Sequence, residues 1–239
     1  MQLLADLGEG IGDEENLIPL LDAGAISCGA HAGDKEMICR TIRRCVEQGV
    51  SIGAHPSFVD RAHFGRLEQS LSADELRDLL LHQFETFKQW TNREGAAIRF
   101  VKPHGALYNL SARNTEVAKI IAETIYSVDP SWVLVGLAGS VSIQEAKAAG
   151  LSTLSEAFAD RRYVSAAVLC PRSDPRALLE TPEEAVAQVQ HLMECGGLLS
   201  VNGDFVSLAA EVVCVHGDSK QAVSIARAVR TYLNDRLDA

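Results

Sequence analysis

Seven times along its length the chain follows a short apolar run with a longer amphipathic one. "LLAD" precedes a helical run from Glu14 to Asp22. "AIS" precedes Lys35–Gln48, where Ile38, Ile42, Cys45 and Val46 recur at helical spacing. "VSIGA" leads to Ser72–Arg93, and Ser72 with Glu75 has the spacing of a capping box. "IRFVK" leads to Asn114–Ser127, and "WVLVGLA" to Val141–Ala149 with Gly150 as C-cap. "LSTLSEA" is followed by an irregular stretch and then by Pro182–Cys195, with Thr181 as N-cap and Pro182 at the first helical position. Leu198–Leu208 alternates around Asn-Gly-Asp and reads as an inserted hairpin. "VVCVH" and a helix over Gln221–Leu237 close the chain. Repeated β–α alternation with short connections requires a parallel sheet covered by helices. Seven units fit an incomplete, seven-stranded (β/α) barrel better than an open doubly wound sheet. No Pro/Gly-rich linker interrupts the 239 residues, so one domain over 1–239 is expected.

A parallel barrel places its functional groups at the carboxyl ends of the strands. In this chain those ends are unusually polar. Asp6 and Glu9 follow the first strand, and His31 and Asp34 the second. His55, Asp60 and Arg66 follow the third. The fourth runs into "VKPHGALYN", with Lys102, His104 and Asn109. Glu156, Asp160 and Arg161 accompany the sixth, and His216 and Asp218 the last. Only the fifth end, "GLAGS", has no ionisable group. A lone histidine after a strand is usually structural, and an Asp before a helix is usually a cap. Four of the seven histidines, however, occupy corresponding positions in four units, each within two residues of a Gly or Pro that shapes a tight turn. That recurrence points to a shared site.

Clustered carboxylates, imidazoles and a lysine suit general acid–base work on a small polar substrate. The same groups could hold a metal, with Asp6, His31 and His55 as a candidate set. Other chemistries lack their signatures. "GEGIG" has Asp13 where a dinucleotide loop needs its third glycine, and an acid there opposes pyrophosphate. No Walker loop, no Gly-x-Ser-x-Gly elbow and no His-Glu-x-x-His pair occurs.

The formal net charge of −10 argues against nucleic acid as a partner. The N-terminus has no basic, signal-like start, and no apolar run reaches membrane-spanning length. A cytoplasmic protein is expected. The six cysteines form no Cys-x-x-Cys pair and read as free, mostly buried thiols.

The ordered string "DLGEG", "CGAHAGD", "GAHPSF", "FGR", "KPHGALYN", "SEAFADRRY" and "VCVHGD" resembles the LamB/YcsF family from Asp6 to Asp218. The resemblance implies a seven-stranded barrel related to glycoside hydrolases and polysaccharide deacetylases. It implies ATP-dependent 5-oxoprolinase chemistry, opening the lactam to L-glutamate with ATP as co-substrate, together with partner subunits B and C. On that reading Asp6, His31, His55, Lys102 and His104 are catalytic. Lys102 and His104 polarise the activated carbonyl, and the other three handle water. Glu9, Asp34, Asp60, Arg66, Asn109, Glu156, Asp160, Arg161, His216 and Asp218 then bind substrate. Replacing Lys102 or His104 with Ala is expected to stop turnover and leave the fold intact. Two alternatives stay open: a metal-dependent deacetylase or amidohydrolase without ATP, and a ligand-binding regulatory subunit. The residues leave self-association and a bound divalent metal undecided.

Overall fold

A computed structural model describes residues 1–236. Seven parallel strands form a closed barrel: β1 (Gln2–Leu7), β2 (Ala23–Ser27), β3 (Ser51–His55), β4 (Ile98–Val101), β5 (Val133–Leu137), β6 (Thr153–Phe158) and β11 (Val212–Val215). The first six follow one another around the wall, and β11 closes it by pairing with both β6 and β1. The seam between first and last strands is in register from Gln2 opposite Val212 to Ala5 opposite Val215. A strand in such a wall is covered on both faces, which is why these runs are continuously apolar. All five residues of β2 and all four of β11 are buried.

The helices behave as the apolar spacing predicts. In α2 (Lys35–Gln48), Ile38, Ile42 and Cys45 lie on the buried face, and each isoleucine contributes roughly 1.5–3 kcal/mol by leaving water. α3 (Ala73–Arg93) begins at the Ser72–Glu75 capping box. α5 (Thr115–Val128) is capped by Asn114, and α7 (Pro182–Cys195) by Thr181. α6 (Val141–Ala148) ends one residue earlier than expected, at an Ala149 cap, with Gly150 following at φ +88°. α8 spans Ala222–Asp235, and the expected end at Leu237 lies outside the described residues.

Three expectations change. The run Glu14–Asp22 is not one helix but a single turn, α1 (Glu14–Leu17), and a 3₁₀ turn over Ile18–Leu20. Pro19 disfavours an α-helical residue before it and supplies no N–H. The "HGALYN" segment, given no element of its own in the reading of seven strand–helix units, contains a short helix, α4 (Gly105–Ser111). The irregular stretch after β6 carries a small antiparallel hairpin of β7 (Tyr163–Ser165) and β8 (Val168–Leu169). The hairpin expected around Asn-Gly-Asp is present as β9 (Gly197–Leu199) and β10 (Phe205–Ser207). All six cysteines are free, and only Cys195 is exposed. No helix among the described residues is long and apolar enough to cross a membrane.

Candidate active site

The polar strand ends converge on one cavity of about 480 Å³. Its floor and walls include Asp6, His55, Lys102, His104, Tyr108, Phe158 and His216. The rim carries Arg66, Asn109, Arg113, Arg161 and Arg172. The end of β5, which has no ionisable group, contributes nothing to this lining.

Lys102 leaves β4 pointing into the barrel and is only 2% exposed. Its ammonium donates to Asp6 Oδ1 at 2.8 Å and to Cys214 Sγ at 3.2 Å. It also lies 2.9 Å from Glu156 Oε1 as an ion pair outside hydrogen-bonding angles. Burial alone would neutralise this amine, but Asp6, Cys214 and Glu156 outweigh it and hold its pKa well above the usual lysine value. Burial likewise pushes the Asp6 carboxyl up, yet His55 and Lys102 pull it well below the ordinary range. Asp6 is therefore a fixed carboxylate at the cavity floor. Glu156, on β6 itself, is fully buried and accepts from Tyr108 Oη at 2.6 Å. Burial and then Glu156 raise the pKa of that phenol.

Beside this ion group stands a cluster of three imidazoles and one carboxylate. His31 Nε2 is 2.9 Å from Glu9 Oε1, and His104 Nδ1 is 2.9 Å from His55 Nε2. Glu9 Oε1 is also 3.3 Å from His104 Nδ1 and 3.8 Å from His55 Nε2. The rings of His31 and His104 stack at 3.8 Å between centroids. Burial, reinforced by the neighbouring imidazoles, lowers both His31 and His104, the latter to about 3. Burial raises the Glu9 carboxyl well above its usual range, and Asp6 adds to the effect.

On the opposite side, Asp160 accepts from both the backbone N–H and Nδ1 of His216, the latter at 3.0 Å, and the His216 ring stacks on Phe158. Arg161 is 6% exposed and donates once, to the Cys170 carbonyl at 2.7 Å, while its buried Nε has no protein partner. Arg66 and Arg172 both donate to Asp218 Oδ2, at 2.8 and 3.0 Å. That clamp joins the loops after β3, β8 and β11 across the rim.

The structure thus brings together Asp6, His55, Lys102, His104, Arg66, Asn109, Arg161 and His216 around the cavity, with His31, Glu9, Glu156, Asp160 and Asp218 directly behind them. Two expected residues lie apart. Asp34 is the N-cap of α2, accepting from the Met37 N–H. Asp60 holds its own loop by accepting from the backbone and ring of His63. Glu9, expected to face substrate, instead closes the histidine cluster. Sequence reasoning missed Tyr108, Arg113, Arg172 and Cys214 as neighbours of the site. Tyr108 lies within the "KPHGALYN" stretch, but with no helix assigned to that stretch nothing indicated which side chains turn inward.

Comparisons with known proteins concern the chain as a whole. Residues 1–237 match the model of the LamB/YcsF family. A protein named as the A subunit of 5-oxoprolinase, from Histophilus somni (strain 129Pt), is 41% identical over 236 residues, covering 99% of this chain and 96% of that one. The crystal structure of a lactam utilization protein from Thermus thermophilus superposes with a TM-score of 0.91 at 35% identity, covering 99% and 96% of the two chains. A GH113 β-1,4-mannanase matches at a TM-score of 0.50 and 11% identity, a likeness of fold alone. By its full-length match, the chain belongs to the LamB/YcsF family.

Proposed function

We propose that this chain is the lactam-opening subunit of an ATP-dependent 5-oxoprolinase, converting 5-oxo-L-proline to L-glutamate in the cytoplasm with two partner subunits, B and C. The observation that carries the reading is the near-complete, 41% identical likeness to a protein named as the A subunit of 5-oxoprolinase. The cavity supports it, because its lining combines guanidinium groups that suit a carboxylate with carboxylate and imidazole groups that suit water and proton handling.

Arg161 anchors the substrate carboxylate. Its buried Nε without a protein partner and its planar guanidinium suit a two-point hold on a carboxylate. Asp6 orients the attacking water, with His55 and Lys102 keeping the carboxylate ionised and Lys102 holding it in place. The partners of Lys102 make it a positioning residue for Asp6 rather than a direct contact of the carbonyl. His104 and His55 flank the reacting carbonyl from the cavity wall. His216, oriented by Asp160, delivers a proton to the departing ring nitrogen. An unreactive amide gains from activation of its carbonyl oxygen by ATP, and the chain has no phosphate-cradling loop of its own. The nucleotide is therefore met together with the partner subunits.

The test is glutamate release from 5-oxoproline with this chain alone and with subunits B and C, each with and without ATP. Glutamate is expected only from the full set with ATP. A folded complex that forms none in any combination removes the substrate assignment. Within the working complex, Arg161→Lys is expected to raise KM about tenfold, equivalent to ~1.4 kcal/mol of lost pairing, with kcat little changed. Steady-state kinetics against 5-oxoproline reads that split. An unchanged KM would take Arg161 out of substrate binding.

A further inference from the structure

Hydrogen bonds at the outer edges of two imidazoles settle where their lone pairs point. His55 Nδ1 lies 2.6 Å from the Lys102 carbonyl, so it carries the hydrogen and donates. His104 Nε2 lies 2.9 Å from the Phe64 carbonyl and likewise donates. A neutral imidazole has one N–H, so while both rings are neutral the inner nitrogens, His55 Nε2 and His104 Nδ1, are bare. They nevertheless face each other at 2.9 Å. Two lone pairs at that distance repel unless a cation lies between them.

Glu9 Oε1 and His31 Nε2 point into the same space, and the four ligand atoms all lie within 4.8 Å of one another. Zinc bonds of roughly 2.0–2.1 Å at tetrahedral angles put neighbouring ligand atoms about 3.3 Å apart. The separations here, 2.9 Å for His31–Glu9, 2.9 Å for His55–His104, 3.3 Å for His104–Glu9 and 3.8 Å for His55–Glu9, bracket that edge length. Imidazoles that bind a metal through one nitrogen usually donate from the other to a carbonyl or carboxylate, as His55 and His104 do. The carbonyl that receives His104 belongs to Phe64, held at φ +57°, a left-handed conformation unfavourable for a bulky residue. Strain of that kind at the outer edge of the cluster suits a site whose geometry must be kept.

The geometry points to a divalent transition-metal site, zinc by donor type, formed by Glu9, His31, His55 and His104 at the wall of the cavity. Three imidazole nitrogens and one carboxylate oxygen select zinc-class ions over magnesium and calcium, which favour oxygen ligands. An ion held there would supply a Lewis acid on the side of His55 that faces Asp6, whose Oδ1 lies 3.5 Å from His55 Nε2. The set differs from the one the spacing alone suggested, because Asp6 belongs to Lys102 and Glu9 takes its place.

A single proton on His55 Nε2 is the competing occupant, since it could bridge to His104. That proton also meets Asp6 Oδ1 at 3.5 Å but leaves Glu9 and His31 to each other, whereas a metal draws in Glu9 as well and takes His31 Nε2 once that ring turns out of its stack on His104. The two are separated without any assay of turnover, so failure here leaves the substrate proposal standing and the reverse holds too. The full-length chain, expressed without an affinity tag, would be analysed for metals by plasma mass spectrometry. After chelation it would be titrated with Zn²⁺ by calorimetry and with Co²⁺ by visible absorption. About one ion per chain, together with the intense visible bands of low-symmetry, four-coordinate Co²⁺, is expected. Glu9→Gln and His104→Gln are each expected to weaken Zn²⁺ binding at least about 100-fold, since losing even a supporting partner of a ligand costs 10–100-fold. Circular dichroism confirms that each variant is folded. His63→Ala, removing an exposed histidine outside the cluster, is expected to bind as the parent does. Metal-free protein that takes up neither ion, or binding that survives both cluster variants, would overturn the site.

Discussion

Lys102→Met is expected to abolish glutamate formation and to cost about 3–5 kcal/mol of folding stability, the usual penalty for removing one partner of a buried ion pair. The ammonium is the shared counter-charge of Asp6 and Glu156, two carboxylates that burial has stripped of water. Methionine fills a similar volume but leaves Glu156 without a counter-charge and Asp6 with His55 alone, and Asp6 loses the ammonium that aims it. The sequence alone predicts an inactive but intact variant. The buried ion group predicts one that is both inactive and weakened. Urea titration of the isolated chain measures the stability change, and the reconstituted assay measures turnover. A variant as stable as the parent would mean that Asp6 and Glu156 are neutralised some other way. Retained turnover would remove Lys102 from the mechanism.

Gly33→Ala is the second large effect. Gly33 sits at φ +72°, where an added side chain is strained, and a Cβ there would stand 2.2 Å from the Gly8 carbonyl oxygen. That oxygen is backbone and has no flexible end to swing aside. The contact locks the loop carrying Glu9 to the loop carrying His31. Relief of the clash must therefore pull the two apart, across a pair now 2.9 Å from each other. A misplacement near 1 Å costs about 100-fold in rate, and the left-handed conformation alone adds roughly 1–2 kcal/mol of strain. Reconstituted kcat and thermal unfolding are the readouts. Unchanged values for both would show that the two loops move independently.

How much of this was legible beforehand follows from what each signal encodes. The barrel was legible because a buried parallel strand must be continuously apolar and its covering helix must repeat at 3.6 residues. Seven such alternations leave few arrangements. The histidines at four strand ends were legible for the same reason, since topology alone carries them to one face. Side-chain direction was not. Asp34 and Asp60 have the same local chemistry as Asp6, but one caps a helix and the other ties a turn, and only Asp6 lies on a strand facing inward. α4 was hidden because its seven residues begin at Gly105 and no side chain caps them, and so Tyr108 went unread. Arg172 comes from a stretch without periodicity, placed only by its bond to Asp218 from the last loop.

The seam between β1 and β11 has a consequence for how the protein comes into being. Asp6 leaves the ribosome more than 200 residues ahead of Cys214 and His216, which complete its surroundings. Six strands can line up as they emerge, but the wall cannot close until Val212–Val215 arrives to join residues more than 200 positions earlier. Contacts of such separation are slow to form, because the long intervening chain must be ordered first. A nascent fragment that lacks Val212–Val215 therefore has neither a closed wall nor the Cys214 and His216 groups beside Asp6.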